Sequence, residues 1–151
     1  MARLEIPLRH RKLWRTGDVL LRAEVMLSLK TNRGTWEKAP FLFDSGTEMT
    51  CMPAAKAKQL DLPMPRQPVR GGTFGAANQG FRAGLIQARI VGLCATEYVF
   101  PCFFRGDPDA LPAPRDKNLL GLSGVINQVH LSFDGSAAAY APYGFLVVET
   151  I

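Results

Sequence analysis

The fold class predicted by this chain of 151 residues is mostly β, a single domain with one or two short helices. Two observations carry that expectation. Short runs alternate apolar and polar residues with period two, as half-buried strands do. The 14 glycines and 11 prolines follow no fixed period, which reads as many turns between short strands. Hydrophobic residues make up 47% and charged residues 21%, so a core can be buried and disorder is not expected. The length suits one domain and excludes an enzyme whose site lies between two large lobes of one chain.

The first element is electrostatic. Residues 1–15 carry Arg3, Arg9, Arg11, Lys12 and Arg15 against Glu5, so +4 of the net charge of +5 sits there. We read residues 1–18 as a basic N-terminal segment and 19–151 as the domain. A solvated, frayed terminus is the plain reading of that segment. Contact with an acidic partner or nucleic acid is the other. The remainder is nearly neutral and lacks basic residues interleaved with aromatics, which argues against nucleic acid.

Residues 19–30 place Ala23, Val25, Leu27 and Leu29 on one face, which is strand period. Thr31-Asn32-Arg33-Gly34 supplies a turn. Residues 39–43 form a short buried strand that runs into Asp44-Ser45-Gly46-Thr47. Pro53 then opens a short helix, which ends at Asp61-Leu62-Pro63. Residues 63–72 are proline-rich and extended or loop. Residues 71–84 hold five glycines and read as the tip of a hairpin, with a strand leaving over 85–91. Residues 97–104 are a further strand in which Pro101 marks an edge or bulge.

A polar loop over 105–117 leads to Leu119-Leu120-Gly121. The following Ser-Gly-Val-Ile-Asn-Gln-Val predicts a second short helix capped by Ser123. Residues 129–133 are a strand, Asp134-Gly135 a two-residue hairpin turn, and 144–151 the last strand.

Cys51, Cys94 and Cys102 are an odd number, with no metal-ligand spacing. Buried small hydrophobes in a reduced, cytoplasmic protein are the expectation. No apolar h-region follows the basic start, and no apolar run is long enough to span a bilayer. His10 and His130 have no nucleophile partner, so a Ser-His or Cys-His hydrolase lacks support.

The chemistry-bearing segment is Phe43-Asp44-Ser45-Gly46-Thr47. A strand buried up to Asp44 delivers a carboxylate to a loop on a rigid sheet, where catalytic groups tend to sit. Alone, Asp-Ser-Gly is also a common turn. The flanks add weight, because a glycine-rich hairpin and then Leu119-Leu120-Gly121 follow in order. Together these resemble the retropepsin-type aspartic proteases, a single-domain family with retroviral, cellular and bacterial members. Asp44, Ser45 and Gly46 match the family's catalytic motif, Gly71 to Gly84 its flap, and Leu119, Leu120 and Gly121 its hydrophobic-hydrophobic-Gly motif.

The resemblance implies an acid-protease β-barrel with a flap hairpin, assembling as a two-fold dimer and needing no metal or cofactor. It implies that Asp44 is the catalytic carboxylate, with Ser45, Gly46 and Thr47 supporting its loop. Gly72, Thr73, Phe74, Gly75 and Ala76 would close over an extended peptide substrate, and Leu119, Leu120 and Gly121 would pack across the catalytic loop. No second Asp-Ser/Thr-Gly occurs in the chain, so the second carboxylate would come from an identical copy. The last strand, 144–151, would then be free to pair across the dimer.

The chain departs from the pattern at three places. Thr47 stands where retroviral members usually have Ala, and its hydroxyl can reach the carboxylate. A helix follows the motif, as in cellular and bacterial members. The flap is small and polar. The expected activity is peptide-bond hydrolysis, and the alternative is a non-catalytic peptide-binding or assembly module of the same fold.

Overall fold

The longest strand organises the molecule. In the computed structural model, which describes residues 1–12, 16, 19–69, 80–113 and 116–151, Val19–Lys30 is a continuous strand. We number the strands in chain order: β1 (Arg3–Pro7), β2 (Arg9–Lys12), β3 (Val19–Lys30), β4 (Trp36–Phe43), β5 (Thr50–Pro53), β6 (Phe81–Ile90), β7 (Tyr98–Arg105), β8 (Leu119–Leu120), β9 (Val129–Asp134) and β10 (Phe145–Thr150). One helix, α1 (Ala54–Gln59), lies between β5 and β6.

Strand period sends Ala23, Val25, Leu27 and Leu29 of β3 inward, where each is at most 3% exposed. β3 pairs antiparallel with β4 and also with β6, so β3, β4, β8, β5, β7 and β6 form a closed ring of hydrogen-bonded strands. β2 extends the sheet beyond β3. Closure removes most of the exposed edges that open sheets must protect. Phe41, Phe100, Phe104, Leu27, Met52 and Leu120 fill the interior and are essentially inaccessible. Each such side chain is worth about 1.5–3 kcal/mol of burial.

Three strands form a second sheet in the order β1-β10-β9, all antiparallel. Residues 3–7 and 9–12 of the basic N-terminal segment are therefore built into the two sheets and are not a frayed end. Leu4 and Ile6 of β1 pack on the core while Arg3 and Glu5 face water, and Arg3 bridges to Glu149 at 2.9 Å. β10 lies between β1 and β9 of its own chain. Its backbone groups are taken on both sides, which corrects the expectation that the last strand pairs across a dimer.

α1 begins where Pro53 leaves extended geometry (ψ 132). It ends in a paired-carbonyl cap. Asp61 takes positive φ (56), Leu62 N–H donates to the Ala57 carbonyl, and Asp61 N–H donates to the Lys58 carbonyl. Asn32 Nδ2 and Arg33 Nε hold the Asp61 carboxylate at 3.0 and 3.3 Å.

Two sequence expectations fail in the last third. Residues 122–128 are a series of turns and not a second helix. Gly124 adopts φ +73, outside helical space, and its Cα sits against Pro101, where a Cβ would lie 2.3 Å from Cδ. Asp134-Gly135 is also not a two-residue hairpin. β9 and β10 are joined through residues 135–144, although Asp134 pairs with Phe145. Asp134 Oδ1 takes the Ser136 N–H, Ala138 and Ala141 pair with one another, and Ala141, Phe145 and Val147 bury together. The apolar residues of the connection thus form a small core that a tight turn would leave exposed.

Pro101 lies beside Leu85 of β6, one residue before the stretch Cys102–Arg105 that pairs with β5. On its β5 flank it therefore needs no ladder partner, as a proline requires. Among the described residues no helix is long and apolar enough to cross a membrane.

Candidate functional site

The loop after β4 is positioned by a crossed arrangement of short strands. β4 and β5 are consecutive in the chain, yet β8 is threaded between them. β8 runs parallel to β4, with Leu42 beside Leu119 and Phe43 beside Leu120, and antiparallel to β5 at Cys51. The loop 44–49 must therefore bridge over the end of β8.

Backbone hydrogen bonds tie that loop to the β8 segment. Asp44 N–H donates to the Leu120 carbonyl at 3.1 Å, Leu122 N–H to Thr47 at 3.1 Å, and Ser123 N–H to Glu48 at 2.6 Å. Gly121 passes so close to the chain that a Cβ there would lie 2.5 Å from the Met49 carbonyl carbon. Only glycine fits, since real Cβ atoms do not approach backbone that closely. Gly121 N–H donates to Thr50 Oγ1 at 3.1 Å.

Asp44 itself is half-buried. Its Oδ1 accepts from Gly46 N–H at 2.9 Å, and its Oδ2 accepts from the Thr47 hydroxyl at 2.7 Å. Both carboxylate oxygens are thus oriented from within the loop. Ser45 and Gly46 are exposed, and Thr47 is half-buried. A carboxylate held this way, at the mouth of a rigid barrel, can accept a proton from a bound water. The flap residues Gly72, Thr73, Phe74, Gly75 and Ala76 lie outside the described residues.

Four further aspartates are engaged elsewhere. Asp61 bonds Asn32 and Arg33, Asp109 pairs with Lys58, Asp116 accepts from Ala113 N–H, and Asp134 accepts from Ser136 N–H. Among the described residues no cluster of three or more His, Cys, Asp or Glu is arranged to hold a metal ion. His130 is exposed on β9, and His10 is exposed with its ring 5.0 Å from that of Tyr143.

Three supporting residues escaped the sequence reading. Thr50, fully buried, receives the Gly121 N–H. Asn118 donates through Nδ2 to the Pro40 carbonyl at 3.1 Å, joining the start of β8 to β4. Arg105 donates to the Lys117 carbonyl at 2.6 Å and to Cys51 Sγ at 3.3 Å. Thr50 was signalled by being a lone hydroxyl beside Cys51 and Met52, and Asn118 by standing directly before Leu119. Nothing local marks Arg105.

Burial pushes the Cys51 thiol up, while the Arg105 guanidinium works against that and the Asp44 charge adds to it. Burial also pushes Cys102 up strongly. Neither is suited to act as a thiolate.

Comparison of the chain with protein-family models gave no match, and comparison with curated proteins gave none either.

Proposed function

We propose that the protein is a homodimeric aspartic endopeptidase of retropepsin type, with an acid-protease barrel and Asp44 as its catalytic carboxylate. One observation carries the reading. Asp44 sits at the end of β4, both oxygens oriented by Gly46 and Thr47, in a loop bridging over the Leu119-Leu120-Gly121 segment. The described residues offer no second carboxylate in that setting, so the partner Asp44 of another copy completes the pair.

Two carboxylates brought within hydrogen-bond reach of each other keep one proton between them. The ionised carboxylate takes a proton from water as the oxygen attacks the peptide carbonyl. The protonated one gives its proton to the carbonyl oxygen, forming a gem-diol. Proton transfer to the amide nitrogen then breaks the C–N bond and yields a carboxylic acid and an amine. Substrate binds extended, by strand addition.

A second reading, a non-catalytic peptide-binding module of the same fold, draws on the placement of β10. Its two flanks are filled by β1 and β9 of the same chain, so terminal-strand exchange is not available to hold a dimer. Peptide-cleavage assays on wild type and Asp44→Asn, paired with sedimentation, separate the readings. The protease reading expects turnover in wild type, its loss in Asp44→Asn, and an unchanged dimer. Equal cleavage by the Asn variant defeats it. A strict monomer across micromolar concentrations, without cleavage, establishes the second reading.

A further inference from the structure

Two Asp44 carboxylates can meet only if two copies dock beside that loop, and β10 has no open flank for the purpose. Among the described residues, β1, β2 and β9 each have a single strand partner. Unpaired edges are usually guarded by charge or proline. β1 carries Arg3, Glu5 and Pro7, and β2 is the basic run Arg-His-Arg-Lys. β9 reads Val-His-Leu-Ser-Phe-Asp, with no lysine, arginine or proline. Its Phe133 is 60% exposed, a large apolar surface left in water.

The backbone of β9 is aimed at that open edge at alternate residues. Thr150 and Val129 face each other across the β10–β9 pair, yet Thr150 N–H donates to the Ala2 carbonyl and Val129 N–H to the Val125 carbonyl. Their pair is therefore a non-bonded one. Bonded and non-bonded pairs alternate along an antiparallel ladder, so Leu131 and Phe133 also turn their N–H and C=O away from β10. A second β9 can take all four groups in one antiparallel register, centred on Ser132, with Leu131 opposite Phe133 in both directions. Centring on Leu131 would set Phe133 against Val129, whose N–H is already used. Centring on Phe133 would set Leu131 against Gly135, beyond the strand.

The side chains suit the same register. It places His130 opposite Asp134 of the partner subunit, an imidazole against a carboxylate, and symmetry repeats the pair. Arg3, Glu149 and His130 already form one cross-strand row, with Arg3 bridged to Glu149 at 2.9 Å. Asp134 of the partner subunit continues that row in alternating sign. On the barrel side, Phe133 meets Leu131 of the partner subunit, which covers its exposed ring. The Phe133 ring also lies 5.9 Å from that of Phe43, the residue before Asp44. A two-fold axis at Ser132 thus runs beside both Asp44 loops.

We propose that β9 pairs antiparallel with β9 of a second copy about a two-fold axis through Ser132, and that this edge is the contact that brings the Asp44 loops together. The need for a second carboxylate rests on the protease reading, whereas the self-complementary edge does not.

Ser132→Cys in the full chain is the direct test. At the axis the two Cα atoms of a non-bonded pair are about 4.5 Å apart, inside the disulfide range of about 4.4–6.8 Å. Mild oxidation should link two chains through the new thiol, read by non-reducing electrophoresis and mass mapping of the bridged peptide. Gln87→Cys, exposed on β6, should give no bridge through its own. Sedimentation of unoxidised variants is the second measure. His130→Asp is an exposed change with circular dichroism as the folding check. It sets carboxylates opposite each other and should weaken the dimer at least about tenfold, while His130→Lys should hold it within about threefold. Absence of the Ser132→Cys bridge, a strict monomer, or a dimer indifferent to His130→Asp overturns the β9 contact. Peptide cleavage by such an indifferent dimer leaves the protease reading standing on another interface. A Ser132→Cys bridge without peptide cleavage in the wild type does the reverse, upholding the contact and removing the catalytic reading.

Discussion

The Thr47 hydroxyl donates a 2.7 Å hydrogen bond to Oδ2 of Asp44, three residues before it. The bond uses the one oxygen that Gly46 N–H leaves free. Together they fix the plane of the carboxylate from within its own loop. Preorganised geometry of this kind is what catalytic loops supply.

Removing that donor tests how much the orientation matters. Thr47→Val should cost about 1 kcal/mol of stability, the net worth of one partly exposed hydrogen bond. Under the protease reading it should also lower peptide turnover about tenfold. Thr47→Ser keeps the oxygen and should retain most of both. Thermal denaturation and peptide kinetics on the two variants read the difference. A Val variant identical to wild type in both would show that Gly46 N–H alone suffices.

Gly121 makes a sharper structural prediction. Its Cα faces the Met49–Thr50 peptide, and a Cβ would sit 2.5–2.7 Å from backbone atoms that cannot swing away. Gly121→Ala should therefore cost about 3 kcal/mol through displaced backbone. The loss of the Gly121 N–H to Thr50 bond adds to it if the segment shifts. Gly135→Ala is the control, because nothing lies within 4 Å of its added Cβ and its φ is not positive. Its effect should stay within about 0.5 kcal/mol. Urea unfolding measures both.

The three free cysteines should react in a fixed order. Cys94 is half-buried, and hydrogen bonding from Thr96 holds its thiol below the ordinary cysteine range. Cys51 and Cys102 are buried, and burial raises both. A lowered pKa means more thiolate at a given pH, and thiolate is the reactive form. Iodoacetamide at mildly alkaline pH should label Cys94 first, with its rate levelling off at lower pH than a free cysteine. Cys51 and Cys102 should label only after denaturant is added. Mass mapping of labelled peptides gives the order, and early labelling of Cys102 would contradict the burial described.

Much of the barrel was legible because its strands obey a local rule. Ala23, Val25, Leu27 and Leu29 announce an inward face by alternation alone, and Pro53 announces the start of α1. The Asp44 loop was legible as a turn, because Asp, Ser and Gly favour one. The threading of β8 between β4 and β5 was not derivable from period, since two residues carry none. Nor was the role of Arg105, whose partners Cys51 and Lys117 are distant in sequence. β1 was missed for a different reason. Leu4 and Ile6 do alternate with Arg3 and Glu5, but the density of charge over 1–15 masked a short strand pattern. At Asp134-Gly135 the local turn preference lost to the burial of Ala141 and Phe145.

Gly124 shows the same competition at one residue, and it can be measured. The sequence Ser123-Gly124-Val125-Ile126 has the apolar spacing of a helix, yet Gly124 takes φ +73 and Pro101 of β7 packs against its Cα. A helix there would swing residues 122–128 off β7 and lose the Gln128 Nε2 bond to the Val99 carbonyl at 2.8 Å. Gly124→Ala meets two penalties: left-handed backbone costs about 1–2 kcal/mol for a residue with a Cβ, and the new methyl overlaps the proline ring. The sum should be about 3 kcal/mol. Pro101→Ala removes the ring and should leave only the backbone part of that penalty. In a double-mutant cycle the two changes should therefore couple by about 1 kcal/mol or more in the favourable direction. Strict additivity would mean that the ring contact is relieved by a small shift, and that the backbone conformation alone excludes the helix.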